Sequence, residues 1–311
     1  MKTILITGVG SAGAQNIVKA FRKSEEETRF IGIDCDAINA GKFLVDKFIP
    51  GPSAKDPKFY EKITSILEES KPDLLIPVAP PELPILALYK NELEKKTKVL
   101  ISDYETINLF SSKKRTLDFF IKIGVPNEGY YRRLSEIKFP AFAKLDGSSG
   151  SFDSMKIMDK EDLDYYLKKF PESIIMPFIR GTEYSVDCFC DKDGDLVGFV
   201  PRRRIQVKAG VATKGITEEI NNLENHLKKI TKSIELIGPF NLQLFVKEDG
   251  SLSFFEINPR IGGSFIHSIE AGLDIAQYII DFINDKKSKP LTSFKKRLIM
   301  VRSWQEHYEE A

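Results

Sequence analysis

Gly8, Gly10 and Gly13 lie between a short apolar strand, Ile4-Leu5-Ile6, and a helical run from Ala14 to Lys23. Nothing else in the chain narrows its fold as much. A strand, Phe30 to Ile33, follows and ends at Asp34; further on come a helix over 57–70, a strand over 73–78, a helix over 83–95 and a strand over 99–102. Short apolar runs alternating with helical patterns indicate a parallel sheet covered by helices. Taken alone, G-x-G-x-x-G with an acid 21 residues after Gly13 is a dinucleotide fingerprint, Asp34 being placed to hold a ribose. The plainer alternative is that the glycines only let a strand turn tightly into a helix. The rest of the chain has to decide between them.

Charge removes several classes of partner. Lys and Arg number 46 against 45 Asp and Glu, a net charge of +1. Nucleic-acid binders usually carry a basic excess, and a balanced chain gives no attraction to an anionic membrane. With 42% hydrophobic and 29% charged residues, the 311-residue chain reads as folded, with roughly two domains by length. Cys35, Cys188 and Cys190 make no disulfide framework, which suggests a reducing compartment. No apolar run reaches the ~18 residues of a membrane span. The expected location is cytoplasmic.

Beyond residue 110 the pattern changes. Ser111 and Ser112 suit a helix N-cap, Leu117, Phe120 and Ile121 follow at helical spacing, and Gly124 suits a stop. From about 180 the chain is rich in strands with Asp193-Gly194 and Asp249-Gly250 turns, and helical segments fall near 219–236 and 270–284. A polar linker over 285–289 and a strand-like run over 297–303 complete it.

The strongest chemical signal is the hairpin of Phe240–Val246 and Ser251–Ile257. If Asp249-Gly250 is a two-residue loop, Glu248 pairs with Ser251 and Gln243 sits opposite Glu256. Asn258, two residues beyond, shares that face. Gln243, Glu256 and Asn258 then form a cluster of oxygen donors. Hard cations such as Mg²⁺ prefer oxygen, and a site poor in carboxylates completes its shell with phosphate oxygens. A metal–nucleotide is the expected occupant.

The run Glu256-Ile257-Asn258-Pro259-Arg260, preceded by Gln243, resembles the metal site of the ATP-grasp superfamily, most of all the modules of the carbamoyl-phosphate synthase large subunit. Other segments agree in order. Phe139 to Lys144 followed by Gly147-Ser148-Ser149-Gly150-Ser151 resembles the strand lysine and the glycine-rich loop over the ATP phosphates, and Lys113 resembles the earlier phosphate-binding lysine. Met176-Pro177-Phe178-Ile179 and Glu183 resemble the adenine hinge and the ribose-binding acid, although Met176 stands where an acid is common. The resemblance covers about residues 1–285. It implies an α/β and α+β architecture. A Rossmann-like domain over 1–110 would hold no dinucleotide. A two-lobed ATP-grasp unit would follow, its small lobe over 111–179 and its large lobe, with the metal site, over 180–285; a tail over 286–311 would supply an edge strand.

Charge and strand periodicity add candidates. If 202–204 is extended, Arg202 and Arg204 share one face, where they suit a transferring phosphoryl group or a carboxylate, and Arg203 faces away. Arg260 directly follows the metal ligands and suits charge stabilisation. Glu82 and the 262–267 loop are candidates for touching substrate, whereas His267 reads as structural. The resemblance implies an ATP-dependent ligase with ATP and Mg²⁺ (or Mn²⁺) as cofactors. It would activate a small carboxylate as an acyl phosphate for attack by an amine, with homodimerisation open. The alternatives are phosphorylation of bicarbonate or carbamate, an NAD(P)-dependent oxidoreductase, and a nucleotide-binding subunit without turnover.

Overall fold

The computed structural model describes residues 1–147 and 153–310. The first sheet is parallel, in the order β3-β2-β1-β4-β5, from β1 (Lys2–Thr7), β2 (Thr28–Asp34), β3 (Lys47–Pro50), β4 (Leu74–Ile76) and β5 (Lys98–Val99). Both faces are covered, which is why its strands read as unbroken apolar runs. Ile4 and Ile6 pack towards α1 (Ala12–Phe21), while Leu5 packs with α2 (Phe59–Ser70) and α3 (Leu83–Leu88). The chain builds outward from β1 in one direction and then, through β4, in the other. That leaves a crevice at the carboxyl ends of β1 and β4, the usual ligand position in such sheets. The helix expected over 83–95 breaks at Tyr89, with α4 (Lys90–Leu93) following. The edge strand β3 carries no clear apolar pattern in the sequence and went unforeseen.

After α5 (Tyr104–Phe110) comes α6 (Lys113–Lys122), capped by Ser112, whose Oγ accepts the Arg115 N–H at 3.2 Å. Gly124, at φ +62°, ends that helical stretch. A small antiparallel sheet, β7-β6-β8, is made of β6 (Ala141–Leu145), β7 (Ser154–Ile157) and β8 (Ser173–Pro177). Helix α7 (Lys160–Lys169) packs Leu163 and Tyr166 against its Ala141, Ala143 and Ile175.

The large antiparallel sheet runs β13-β12-β9-β10-β11-β14. Its strands are β9 (Thr182–Cys190), β10 (Leu196–Lys208), β11 (Val211–Thr217), β12 (Gly238–Val246), β13 (Leu252–Asn258) and β14 (Ile299–Val301). Helix α8 (Leu223–Ser233) and α6 cover one face through Leu227, Ile230, Leu117 and Phe120. The helix expected over 270–284 starts only at Ile275, as α10 (Ile275–Ile283); a short α9 (Ile266–Glu270) precedes it, and the two are parted at Gly272, whose φ of +116° no helix accepts. Helix α10 packs on α1, so one apolar cluster runs from Ile4 and Ile17 through Phe265 and Ile279 to Phe189 and Val200. That shared core fixes the first sheet against the large one. Among the described residues no helix is long and apolar enough to cross a membrane.

Candidate active site

The hairpin that carries the expected metal ligands differs from expectation in a specific way. Lys247 N–H donates to Ser251 O at 2.9 Å, so the loop holds three residues, Glu248-Asp249-Gly250, with Gly250 at φ +80°. A three-residue loop with glycine in the left-handed position is a common alternative to the two-residue turn. Pairing therefore starts one residue out of the expected register, with Val246 opposite Leu252 and Leu244 opposite Phe254. A bulge at Phe255 then restores it, and Gln243 does face Glu256. The bulge has a second effect. Phe255 and Glu256, neighbours in the chain, both line the same cavity.

That cavity, of about 410 Å³, lies between the small sheet and the large one. Its walls are apolar at one end, with Leu117, Phe142, Phe178, Phe254 and Phe255, and ionic at the other, with Lys113, Lys144 and Glu256. Met176, Pro177, Ile179, Glu183, Arg204 and Gln243 complete the sequence-derived residues on its lining. A flat apolar slot ending in two ammonium groups and a carboxylate suits a base at one end and phosphates at the other.

The ionic end is tightly coupled. Lys144 Nζ donates to Glu256 Oε2 at 3.2 Å, and Asn258 Nδ2 donates to Glu256 Oε1 at 3.0 Å. Burial pushes the Glu256 carboxyl up, but Lys144, Lys113 and the Asn258 amide outweigh it and hold the group below its ordinary value. Burial pushes the Lys113 ammonium down, opposed by Glu256 and aided by Lys144. Lys113 is thus a buried cation beside a second one, a pairing suited to a polyanion. Gln243, Glu256 and Asn258 offer two amides and one carboxylate, an all-oxygen set fit for a hard cation once the Asn258 amide turns its oxygen inward. Among the described residues no cluster of three or more His, Cys, Asp or Glu could hold a metal.

A residue unnoticed in the sequence organises this end. Asp146, just after β6, accepts the Lys113 N–H at 2.6 Å and the Gly147 N–H at 3.1 Å on Oδ1, and the Ser112 hydroxyl at 2.8 Å on Oδ2. It ties the start of α6 to the strand bearing Lys144. Nothing local in the sequence signals this, because the capped helix starts more than thirty residues earlier. Gly147 sits at φ +77° beside this knot, and Ser148, Ser149 and Gly150 lie outside the described residues.

The two arginines on β10 separate. Arg204 borders the cavity and pairs with Glu183 while donating to Gly210 O at 2.8 Å. Arg202 departs from its expected place in the cleft. Alternation does put it on the same side of β10, but it is 1% exposed and lines neither cavity. Its Nε donates to Asp187 Oδ2 at 2.8 Å and its Nη1 to Ser264 Oγ at 3.3 Å. Asp187 also accepts the Asn241 amide at 2.7 Å and the Ser268 hydroxyl at 2.6 Å. A charge this deep needs a full set of partners, and Arg202 is part of the floor. His267 is equally buried, with Nε2 against Leu298 O at 2.9 Å, and burial lowers its pKa.

A second cavity of about 330 Å³ adjoins the first and shares Gln243 and Glu256 with it. Asn258, Arg260, Gly262, Gly263 and Ser264 form one wall; Ser11, Ala12, Gly13 and Pro80, at the crevice of the parallel sheet, form another. Arg260 Nη1 donates to Ile261 O at 3.1 Å. The glycine loop is not built for a dinucleotide. Asp34 accepts the Gly10 N–H at 2.8 Å on Oδ2 and the Asp36 N–H at 2.9 Å on Oδ1. A Cβ on Gly13 would come within 2.9 Å of Ile261 O. Gly8, at φ +60°, lets the strand turn into the helix, and Gly13 allows close packing against Ile261. Glu82 lies beneath this loop, 6% exposed and outside both cavities.

Comparison with known proteins agrees with this geometry. Residues 169–306 match the family described as "ATP-grasp in the biosynthetic pathway with Ter operon", and residues 4–101 match the "PylC-like, N-terminal domain" family. The chain thus carries a PylC-like N-terminal domain followed by an ATP-grasp domain. It is similar to the carbamoyl-phosphate synthase of Methanobrevibacter smithii, 25% identical over 252 residues, covering 74% of this chain and 66% of that protein. It is 24% identical over 260 residues to the carbamoyl phosphate synthase large chain of Caldanaerobacter subterraneus subsp. tengcongensis, covering 76% of this chain but only 24% of that one. In fold it resembles the N5-carboxyaminoimidazole synthetase of Staphylococcus aureus complexed with ADP, with a TM-score of 0.78 and 17% identity over 95% of this chain and 80% of that one. The biotin carboxylase of Campylobacter jejuni gives 0.75 and 16%, over 96% and 74%.

Proposed function

We propose that the protein is an ATP-dependent ligase that activates a small carboxylate as its acyl phosphate and passes the acyl group to an amine. The observation that carries this is the meeting of two cavities at Gln243 and Glu256, one apolar and cationic, the other small and polar. A nucleotide in the first would present its terminal phosphate at the shared edge, and a carboxylate in the second would face it there.

In this reading Met176 to Ile179 and the phenylalanines border the base, and Glu183, steadied by Arg204, accepts from the ribose hydroxyls. Lys113, Lys144 and the loop from Gly147 through Ser148, Ser149 and Gly150 hold the phosphates. Mg²⁺, or Mn²⁺, on Gln243, Glu256 and Asn258 would offset phosphate charge. A carboxylate oxygen of the substrate bonds to the γ-phosphorus as the bond from γ-phosphorus to the bridging oxygen of ADP breaks. Arg260 neutralises charge on the acceptor side. The amine nitrogen then bonds to the acyl carbon, phosphate leaves, and the nitrogen loses a proton. Positioning and charge neutralisation are the whole of the protein's task. The segments 1–110, 111–179 and 180–285 act as the N-terminal domain, small lobe and large lobe of this unit, with 286–311 as a tail.

A second reading, phosphorylation of bicarbonate or carbamate, is favoured by the carbamoyl-phosphate synthase relatives, whereas the volume of the second cavity favours a larger acid. The test is ADP release from Mg-ATP across a panel of carboxylates, bicarbonate included, each with and without amines. Mg-ADP should raise the melting temperature and NAD should not. Stabilisation by NAD alone, or ADP release undiminished in Glu256→Gln, would overturn the proposal.

A further inference from the structure

The loop that walls the second cavity, residues 260–264, is held from two directions. Asn16, on α1 and 3% exposed, donates to Gly262 O at 3.1 Å and to Gly263 O at 3.2 Å. From the other side Arg302 Nη2 donates to the same Gly263 carbonyl at 2.9 Å. Gly263 also presses on β11, where a Cβ would lie 3.0 Å from Val211 Cγ2. Arg302 reaches this point because the chain after α10 returns across the molecule. Leu291 N–H donates to Val197 O at 2.6 Å, Leu298 O accepts from Thr217 N–H at 3.0 Å, and β14 pairs with β11. Past Arg302 the segment reaches the N-terminal domain, where His307 stacks on Phe43 at 4.9 Å and Glu309 pairs with Lys42. These outer contacts are weak by nature: Glu309 is 59% exposed, and exposed ion pairs contribute little. The Arg302 contact is half-buried, charged on one side, and shared with a buried amide.

We propose that the segment after α10 is a strap, and that Arg302 is a positioning residue setting the 260–264 loop, and so Arg260 and Ser264, against the second substrate. The assignment of a substrate to that cavity rests on the ligase reading; the mechanical claim does not. On the parallel-sheet side Asn16 holds the Gly262 and Gly263 carbonyls beside the close packing of Gly13 on Ile261; on the large-sheet side Arg302 holds the Gly263 carbonyl while Arg202 holds the Ser264 hydroxyl. With both in place the wall has one position relative to Gln243 and Glu256.

Hydrogen–deuterium exchange on the full chain tests this, comparing wild type, Arg302→Ala and Arg302→Lys. Arg302→Ala should speed exchange of the 261–265 amides by roughly tenfold or more. Amides of β1 and β8 should keep their rates, and Mg-ADP affinity should stay within about twofold of wild type, since that cavity does not touch the strap. Arg302→Lys should recover part of the protection, because an ammonium can still donate to the Gly263 carbonyl. Unchanged exchange in 261–265, or faster exchange spread evenly over the fold, would overturn the proposal, as would Arg302→Lys behaving no better than alanine. Failure of the wild-type protein to bind Mg-ADP would sink the ligase reading and leave the exchange result standing.

Discussion

Replacing Glu82 with glutamine should change how stability depends on pH. Glu82 lies beneath the glycine loop, 6% exposed, and among the described residues its Oε2 has no hydrogen-bond partner. Burial pushes its carboxyl up from 4.5 to about 7; a hydrogen bond from Thr7 opposes this, and the Asp34 charge adds to it. An acid whose value is higher in the folded state than in the unfolded one favours folding only while protonated. Its contribution is complete below about pH 4.5 and is lost as pH rises to about 7. The gap corresponds to ~3 kcal/mol, at 1.36 kcal/mol per pH unit. Urea denaturation of wild type and Glu82→Gln between pH 4.5 and 8 isolates this contribution, because every other titrating group is common to both. The two stabilities should diverge across that window, the variant gaining ~3 kcal/mol relative to wild type by pH 8. Parallel curves would refute the reasoning and mean that the carboxylate finds a partner once charged.

Asp187→Ala strands the buried Arg202 and should cost roughly 3–5 kcal/mol, measured by urea denaturation, whereas Asp187→Asn should cost less because it keeps an acceptor. Asp146→Ala frees the Ser112 hydroxyl and the Lys113 N–H at the start of α6 and cuts the link of that helix to β6. It should lower stability by about 1–2 kcal/mol, and by calorimetry it should weaken Mg-ADP binding more than that loss explains, through Lys113. Gly41→Ala should destabilise by several kcal/mol or abolish folding, because its Cβ would fall 1.9 Å from Val9 O; a normal melting temperature would contradict the packing of 40–43 over the glycine loop.

The sequence was most readable where chemistry and local geometry coincide. Lys144 closes an apolar strand, Gln243 and Glu256 flank a turn, and Arg260 follows at once. Such features survive errors of a residue or two in element boundaries. Much less was readable where a side chain finds its partner far along the chain. Asp146 with Lys113, Arg202 with Asp187, and Asn16 and Arg302 with Gly263 are choices made by packing, and no neighbour in sequence announces them. Arg202 illustrates the limit: strand periodicity gave its side of β10 correctly, but not its depth.

The hairpin shows how a right pairing can follow from an incomplete mechanism. Asp249-Gly250 is compatible with a two-residue loop and with a three-residue loop ending on a left-handed glycine, and the backbone takes the second. Unrepaired, that choice would set Gln243 opposite Phe255 and turn Glu256 to the face of β13 opposite the one Gln243 shares. The bulge at Phe255 prevents this, and it sits where the apolar slot gives way to the ionic end. A strictly alternating strand cannot place an aromatic wall and a carboxylate side by side on one face from consecutive residues. A bulged one can, so the irregularity is the means by which Glu256 stands both against Lys144 and on the border of the second cavity.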